Sequence, residues 1–200
     1  MIKTTAMILN EQSEYASPKH KLLRLVERGE YIKITKGLYE TDRSTPGHLL
    51  AGSIYGPSYL SFEFALGYYG MIPEAVYTFT SATFEKKKKK IFVNSFGTYT
   101  YRDVPSVVYS LGLGIIEEGS YAFMIASREK AICDQWYKMT PVANYKELQD
   151  LLFADLRIDE TELKKIHLED LGILAERYPS RNVKKLYDLM RRKQHLICRK

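Results

Sequence analysis

Cysteine and tryptophan are scarce in this chain, and long apolar runs are missing altogether. Two cysteines, Cys133 and Cys198, stand far apart in 200 residues. That is no disulfide framework, and it suits a reducing compartment in which both thiols serve packing. No apolar run reaches the length needed to cross a bilayer. The opening residues, Met1-Ile2-Lys3-Thr4-Thr5-Ala6-Met7, lack the apolar stretch of a secretory signal. Together these absences predict a cytoplasmic protein with no membrane partner. The histidines, His20, His48, His167 and His195, are scattered without metal-ligand spacing. A glycine-rich phosphate loop and a serine-nucleophile elbow are also missing. The expectation is therefore no catalytic site, no metal and no cofactor.

Other features are abundant. Hydrophobic residues make up 45% of the chain and aromatics 12%, with 16 tyrosines. That is enough to build a real core. The net charge of +6 is compatible with a polyanionic partner without requiring one.

The organising stretch is Ser17-Pro18-Lys19-His20-Lys21-Leu22-Leu23-Arg24-Leu25-Val26-Glu27-Arg28-Gly29. Ser17 suits a helix cap, Pro18 the first helical position and Gly29 the exit. At about 100° per residue, Leu22, Leu25 and Val26 share one side, with Leu23 at its border. His20, Lys21, Arg24 and Arg28 share the other. The following residues, Tyr31 to Tyr39, read as two short strands around Thr35-Lys36-Gly37. A basic helix running into a small hairpin is the layout of a winged helix-turn-helix. In that layout Lys19, His20, Lys21, Arg24 and Arg28 meet a DNA major groove, and Lys33 and Lys36 reach flanking phosphates. The structural alternative is an ordinary solvated basic face.

Residues Met1 to Leu9 read as a first short helix with Ile2, Ala6 and Leu9 inward. The polar stretch Thr41-Asp42-Arg43-Ser44-Thr45-Pro46-Gly47 marks a boundary with few crossing contacts. Residues 1–44 then form the DNA-binding domain and residues 45–200 an α+β domain. In the second domain the pattern predicts a helix from Phe62 to Tyr69 and a strand over Ala75–Thr80. Two hairpins follow, Lys90–Asn94 with Thr98–Arg102 and Leu113–Glu117 with Tyr121–Ala126. Ser127 caps a helix to about Lys138, and Asn144 caps one from Tyr145 to Leu156. Asp159 and Glu162 have capping-box spacing for a helix reaching Leu174, and Ser180 starts the last helix. The fold class is α+β: a winged helix-turn-helix, then a mixed domain with an antiparallel-rich sheet and a helical C-terminus.

Two further basic features stand out. The lysine run at 86–90 reads as protection of a strand edge, or as a docking patch through Lys86, Lys87 and Lys88. In the last twenty residues eight cations, Lys184, Arg191, Arg192 and Lys193 among them, face a single acid, Asp188. Val183, Leu186, Tyr187 and Met190 form the apolar side of that helix. Its cationic side is either solvated or a surface for a polyanion or an acidic protein. Glu74 followed by Glu85-Lys86-Lys87 loosely echoes metal-dependent nucleases, but a lysine run makes such a match almost unavoidable.

The order of short motifs carries a resemblance. Gly37-Leu38-Tyr39 ends the hairpin. Tyr59-Leu60-Ser61-Phe62-Glu63-Phe64-Ala65-Leu66 and Tyr69-Gly70-Met71-Ile72-Pro73 follow, and then Ser127-Arg128-Glu129-Lys130-Ala131-Ile132-Cys133-Asp134. Over residues 17 to 138 the chain resembles the AbiEi-type antitoxins of bacterial abortive-infection systems, the type IV toxin–antitoxin pairs. The leader ahead of the basic helix is shorter than in longer members. The resemblance implies an antitoxin that binds inverted repeats in double-stranded promoter DNA and represses its own operon. It also implies a functional partner, a nucleotidyltransferase-like toxin whose effect the second domain counters. The alternatives are a winged-helix regulator unconnected to any toxin, or a metal-dependent nuclease-like enzyme.

Overall fold

The computed structural model describes residues 1–197, with side chains through Arg192. Lys193, His195, Cys198, Arg199 and Lys200, all in the basic C-terminal segment, therefore have side chains outside the described residues.

The chain opens with a strand where the sequence suggests helix. β1 is Ile2–Thr4 and α1 is Thr5–Glu11. The Thr4 hydroxyl accepts from the Met7 N–H at 3.2 Å, so the cap sits mid-way through the expected helix and resets its phase. Ile8 is fully buried in place of Ala6, which is exposed, and Leu9, which is half-buried. Helix α2 is Pro18–Glu27, and β2 (Ile32–Thr35) and β3 (Leu38–Glu40) form the hairpin. β1 pairs with the outer edge of β3, giving a three-stranded sheet ordered β1-β3-β2. Ile8, Leu22, Leu25 and Tyr31 form a small core beneath it. The Ser17 side chain makes no cap bond and contacts His20 Nδ1 at 3.1 Å.

After Glu40 a 3-10 turn, Gly47–Leu50, leads into α3, Ala51–Ile54. β4 is Ser58–Leu60, α4 Phe62–Tyr68 and β5 Thr78–Thr83. The turn, α3 and β4 were not legible in the sequence. β4 is three residues long and buried throughout, so it shows no alternation. β5 starts three residues later than its composition suggests. Six register pairs with β7 hold Thr78–Thr83, and Tyr77 is left 85% exposed. The predicted hairpins are present: β6 Lys90–Asn94 with β7 Gly97–Asp103, and β8 Leu113–Glu118 with β9 Tyr121–Ala126. The six-stranded sheet runs β6-β7-β5-β4-β9-β8. Its β5–β7 and β4–β9 pairs are parallel and the other three antiparallel. The class is thus mixed α+β.

Helix α5 is Arg128–Tyr137, with the Ser127 side chain accepting from Lys130 N–H. α6, Tyr145–Asp150, runs on into a wider π turn over Leu151–Asp155. The helix expected from Asp159 to Leu174 is split into α7, Glu160–Leu163, and α8, Leu168–Arg177. Asp159 caps α7 as predicted. Glu162 does not complete the box, because its carboxylate turns to Lys165 at 2.5 Å while the Asp159 N–H donates to Met71 O. Glu129 then accepts the His167 N–H at 2.8 Å where α8 begins. Helix α9, Arg181–Ile197, packs on α5, α6 and α8.

Strand alternation assigns the layers. Tyr59 faces α5 and its hydroxyl reaches Asp134. Tyr99 and Tyr101 point the other way, donating to Gly47 O and Ala51 O. The N-terminal unit rests on that second face. There the Asn94 side chain donates to Ile34 O at 3.0 Å, and Tyr121 donates to Glu40 at 2.6 Å. Ile34 itself belongs to the larger core, so contacts do cross the polar stretch at 41–47.

Candidate nucleic-acid interface

On α2 the apolar side is spent inward: Leu22 and Leu25 are buried and Val26 half-buried. Leu23, at the border, is 59% exposed. Lys19, His20, Arg24 and Arg28 are exposed, as are Lys33 and Lys36 on the hairpin. Lys21 is half-buried, its ammonium lying 4.5 Å from the centre of the Tyr15 ring. Arg28 has only a distant partner, Glu30 at 3.9 Å. Lys19, Arg24, Lys33 and Lys36 have no ion-pair partner among the described residues. Unpaired cations on one helix and the adjoining turn make a positive surface of the kind that meets phosphates. Lys3 is spoken for. Its bond to Glu11 at 2.7 Å raises its pKa and lowers that of Glu11.

The other basic groups are more tied down. Lys86 stacks over Tyr55, 5.1 Å from the ring centre, whereas Lys87 and Lys88 are exposed. On α9, Val183 and Leu186 are buried and Tyr187 and Met190 half-buried, joined inward by Leu189 and Asn182. Lys184 is exposed. Lys185 donates to Ala143 O at 2.8 Å, Arg191 pairs with Asp188 at 3.5 Å, and Arg192 lies over Tyr145 at 4.7 Å. α9 packs on α5, α6 and α8, whereas the unit that carries α2 meets the sheet through Ile34 and Glu40 on the opposite face, so among the described residues the two basic helices lie on different sides of the large sheet.

Residues of the quoted motifs converge inside the larger unit. Asp134, fully buried, accepts from the Ser61 hydroxyl at 2.7 Å, from Tyr59 at 3.0 Å and from Tyr178. Lys130, also fully buried, stands 3.2 Å from Asp134 and donates to Val108 O at 2.8 Å and to Tyr178 at 2.5 Å. Burial lowers the Lys130 pKa against the pull of Asp134. Burial and then Asp134 raise those of Tyr59 and Tyr178 far above the usual phenol range. Every strong donor and acceptor here is met by protein, so the cluster reads as a structural lock. Sequence signalled Ser61, Lys130 and Asp134 only through the motifs. Tyr59 opens one of those motifs, whereas Tyr178 carried no signal, because its contact with Asp134 spans 44 residues. Glu40 and Tyr121 were missed for the same reason.

No family model matches this chain. No curated protein matches it either.

A cleft of about 690 Å³ opens between the β5–β7–β6 end of the sheet and residues 72–77. Arg102 pairs with Glu63 there, its guanidinium 4.0 Å above the Phe62 ring. Glu74 lies at the rim, held by Arg157 at 2.8 Å. Glu85 is exposed and does not line the cleft. Among the described residues no three histidine, cysteine or acidic side chains gather into a group able to hold a metal ion.

Proposed function

We propose that residues 1–44 act as a winged helix-turn-helix. α2 enters the major groove, and the β2–β3 hairpin places Lys33 and Lys36 on flanking phosphates. The observation that carries this reading is the division of α2. Leu22 and Leu25 anchor it in the small core, while Lys19, His20, Arg24 and Arg28 are left exposed. Strand β1 closing the outer side of the hairpin supports it, since it fixes the hairpin against the helices.

Within this reading the chain is an autorepressing antitoxin of the AbiEi type, a cytoplasmic protein without catalysis. Its partners are double-stranded promoter DNA with inverted repeats and a nucleotidyltransferase-like toxin. Support comes from the resemblance, and from the meeting of Ser61 with Lys130 and Asp134 in one buried cluster. Short motifs about 70 residues apart are thereby tied to one structural role.

Fluorescence anisotropy with the DNA upstream of the gene tests the binding step. Lys21→Ala with Arg24→Ala should leave the fold unchanged. It should weaken binding by about 1–3 kcal/mol per lost base contact, or reduce the salt slope by about one per lost phosphate contact. Unchanged affinity and slope in the double variant refute the DNA-binding assignment. Growth rescue against the neighbouring gene's product tests the antitoxin assignment separately.

A further inference from the structure

The two edge strands of the six-stranded sheet are complementary to each other, β6 also touching the N-terminal unit through Asn94. β6 is one edge and β8 the other. Following the pairings across the sheet, β6 and β8 run in opposite directions. A second copy laid alongside, with the same sheet face toward the viewer, therefore brings its β8 antiparallel to the first copy's β6.

The side chains agree with that placement. Ile91 stands opposite Thr100, and Thr100 beside Thr80. Ile115 stands opposite Met124, on the face that carries Tyr59 and Ala82. Ile91 and Ile115 thus share a sheet face, and both are bare, 68% and 72% exposed. With Ile91 opposite Ile115, an antiparallel ladder sets Val93 opposite Leu113, and the residues just ahead of β6, Lys89 and Lys88, come to lie opposite Glu117 and Glu118. A slip of one residue turns every side chain to the wrong face. A slip of two keeps the faces but parts Ile91 from Ile115: one way it sets Lys87 and Lys86 against Glu117 and Glu118, the other way it sets Ile91 against Glu117, so the isoleucine pair and not the lysine run fixes the register. Lys88, Lys89 and Glu117 are exposed and have no ion-pair partner among the described residues. Glu118 already meets His48 at 3.0 Å.

We propose that this chain self-associates by edge-to-edge sheet extension, β6 of one copy receiving β8 of a second. The lysine run, which discourages other strands from adding to this edge, selects an acidic one. One strand pair is a small interface, so the contact is weak in dilute solution and is weakened further by salt. It is head-to-tail, so it propagates as a chain or closes as a ring.

Site-directed cross-linking tests the register. In a Cys198→Ser background, Ile91→Cys and Ile115→Cys proteins are mixed under mild oxidation. Cys133 is fully buried and does not compete. The expected product is a disulfide dimer holding one of each protein. It should form faster than the dimer of Ile91→Cys with Val107→Cys, another exposed position. Lys89→Glu in the Ile91→Cys protein should slow the reaction about fivefold or more, and Glu117→Lys in its partner should restore it. Equal rates with the Ile115→Cys and Val107→Cys partners overturn the proposal. So does an Ile91→Cys protein that links to itself in preference, or a Lys89→Glu change without effect.

Discussion

Replacing Asp134 by asparagine should be among the most damaging single changes available in this protein. Asp134 has no exposed surface, and it accepts from Tyr59, Ser61 and Tyr178 while facing the Lys130 ammonium at 3.2 Å. Asparagine keeps the shape but removes the charge. It also puts an NH₂ donor where every neighbour is already donating. Lys130 is then a buried cation with only Val108 O and the tyrosine oxygen for company. Breaking a buried pair by removing one partner costs about 3–5 kcal/mol. A whole domain is stable by about 5–15 kcal/mol, so the loss is a large share. Lys130→Met should cost less, because three hydroxyls still donate to the carboxylate. The double variant should cost less than the two singles together, by about 1 kcal/mol or more, since each single leaves an unpaired charge that the double does not. Urea unfolding followed by Trp136 reads this directly. It is the one tryptophan, it is fully buried, and it lies on the same helix as Asp134. At a slope of about 2 kcal/mol per molar urea, the Asp134→Asn midpoint should fall by about 2 M. A loss under about 1 kcal/mol, or singles that simply add, would refute the view of this cluster as a coupled lock.

Other perturbations give separate checks. Ile8→Ala should destabilise the N-terminal unit by about 2–4 kcal/mol, seen as loss of protection in amide exchange over residues 1–40 before the rest of the chain opens. Burial holds Tyr99 and Tyr121 up at about 12, Tyr121 with help from Glu40, against an unfolded value of 10.0. The native state keeps those protons while the unfolded chain gives them up. Their stabilisation is therefore complete below pH 10 and lost as pH rises through about 12, which ultraviolet titration alongside circular dichroism will show. Gly37→Val should distort the hairpin turn, where φ is +79°, and lower DNA affinity with little change at Trp136.

Much of the fold was legible because its signals are local. The basic helix, both long hairpins, the Ser127, Asn144 and Asp159 caps and the apolar side of α9 follow from spacing and turn chemistry alone. Several of the misses share one cause, a distant partner overriding a local preference. Ile2-Lys3-Thr4 became a strand because β3 offered it an edge 36 residues away in sequence. The 160–174 helix broke where Glu129 captured the His167 N–H. Of the candidate site, the cations on α2 could be read from angular spacing. Their freedom from acids could not, because it depends on where Glu11 and Glu30 come to lie.

The same long-range contacts decide whether the two units behave independently. The polar stretch at 41–47 reads as a hinge, yet Thr45 and Gly47 are buried. Tyr121 holds Glu40 from the sheet side, and Asn94 holds Ile34 O. The Glu40 pKa is lowered, burial pushing it up while the N-terminal amine, Tyr121 and the Asp42 and Thr41 N–H groups more than offset that. The small core beneath α2 has four buried side chains, of which only Ile8 is fully buried, too few to hold residues 1–44 folded unaided. The N-terminal unit should therefore unfold with the sheet in one transition. Far-UV circular dichroism and Trp136 fluorescence should then coincide in urea. Tyr121→Phe with Asn94→Ala should loosen the joint and separate the two signals, the circular dichroism beginning to fall first. A ligand that binds only the folded N-terminal unit should shift both signals equally in the unaltered chain. In the loosened variant it should shift mainly the early phase. Two separated transitions in the unaltered chain would mean that the stretch at 41–47 is a hinge after all, and that the Glu40 and Ile34 contacts contribute little to holding the units together.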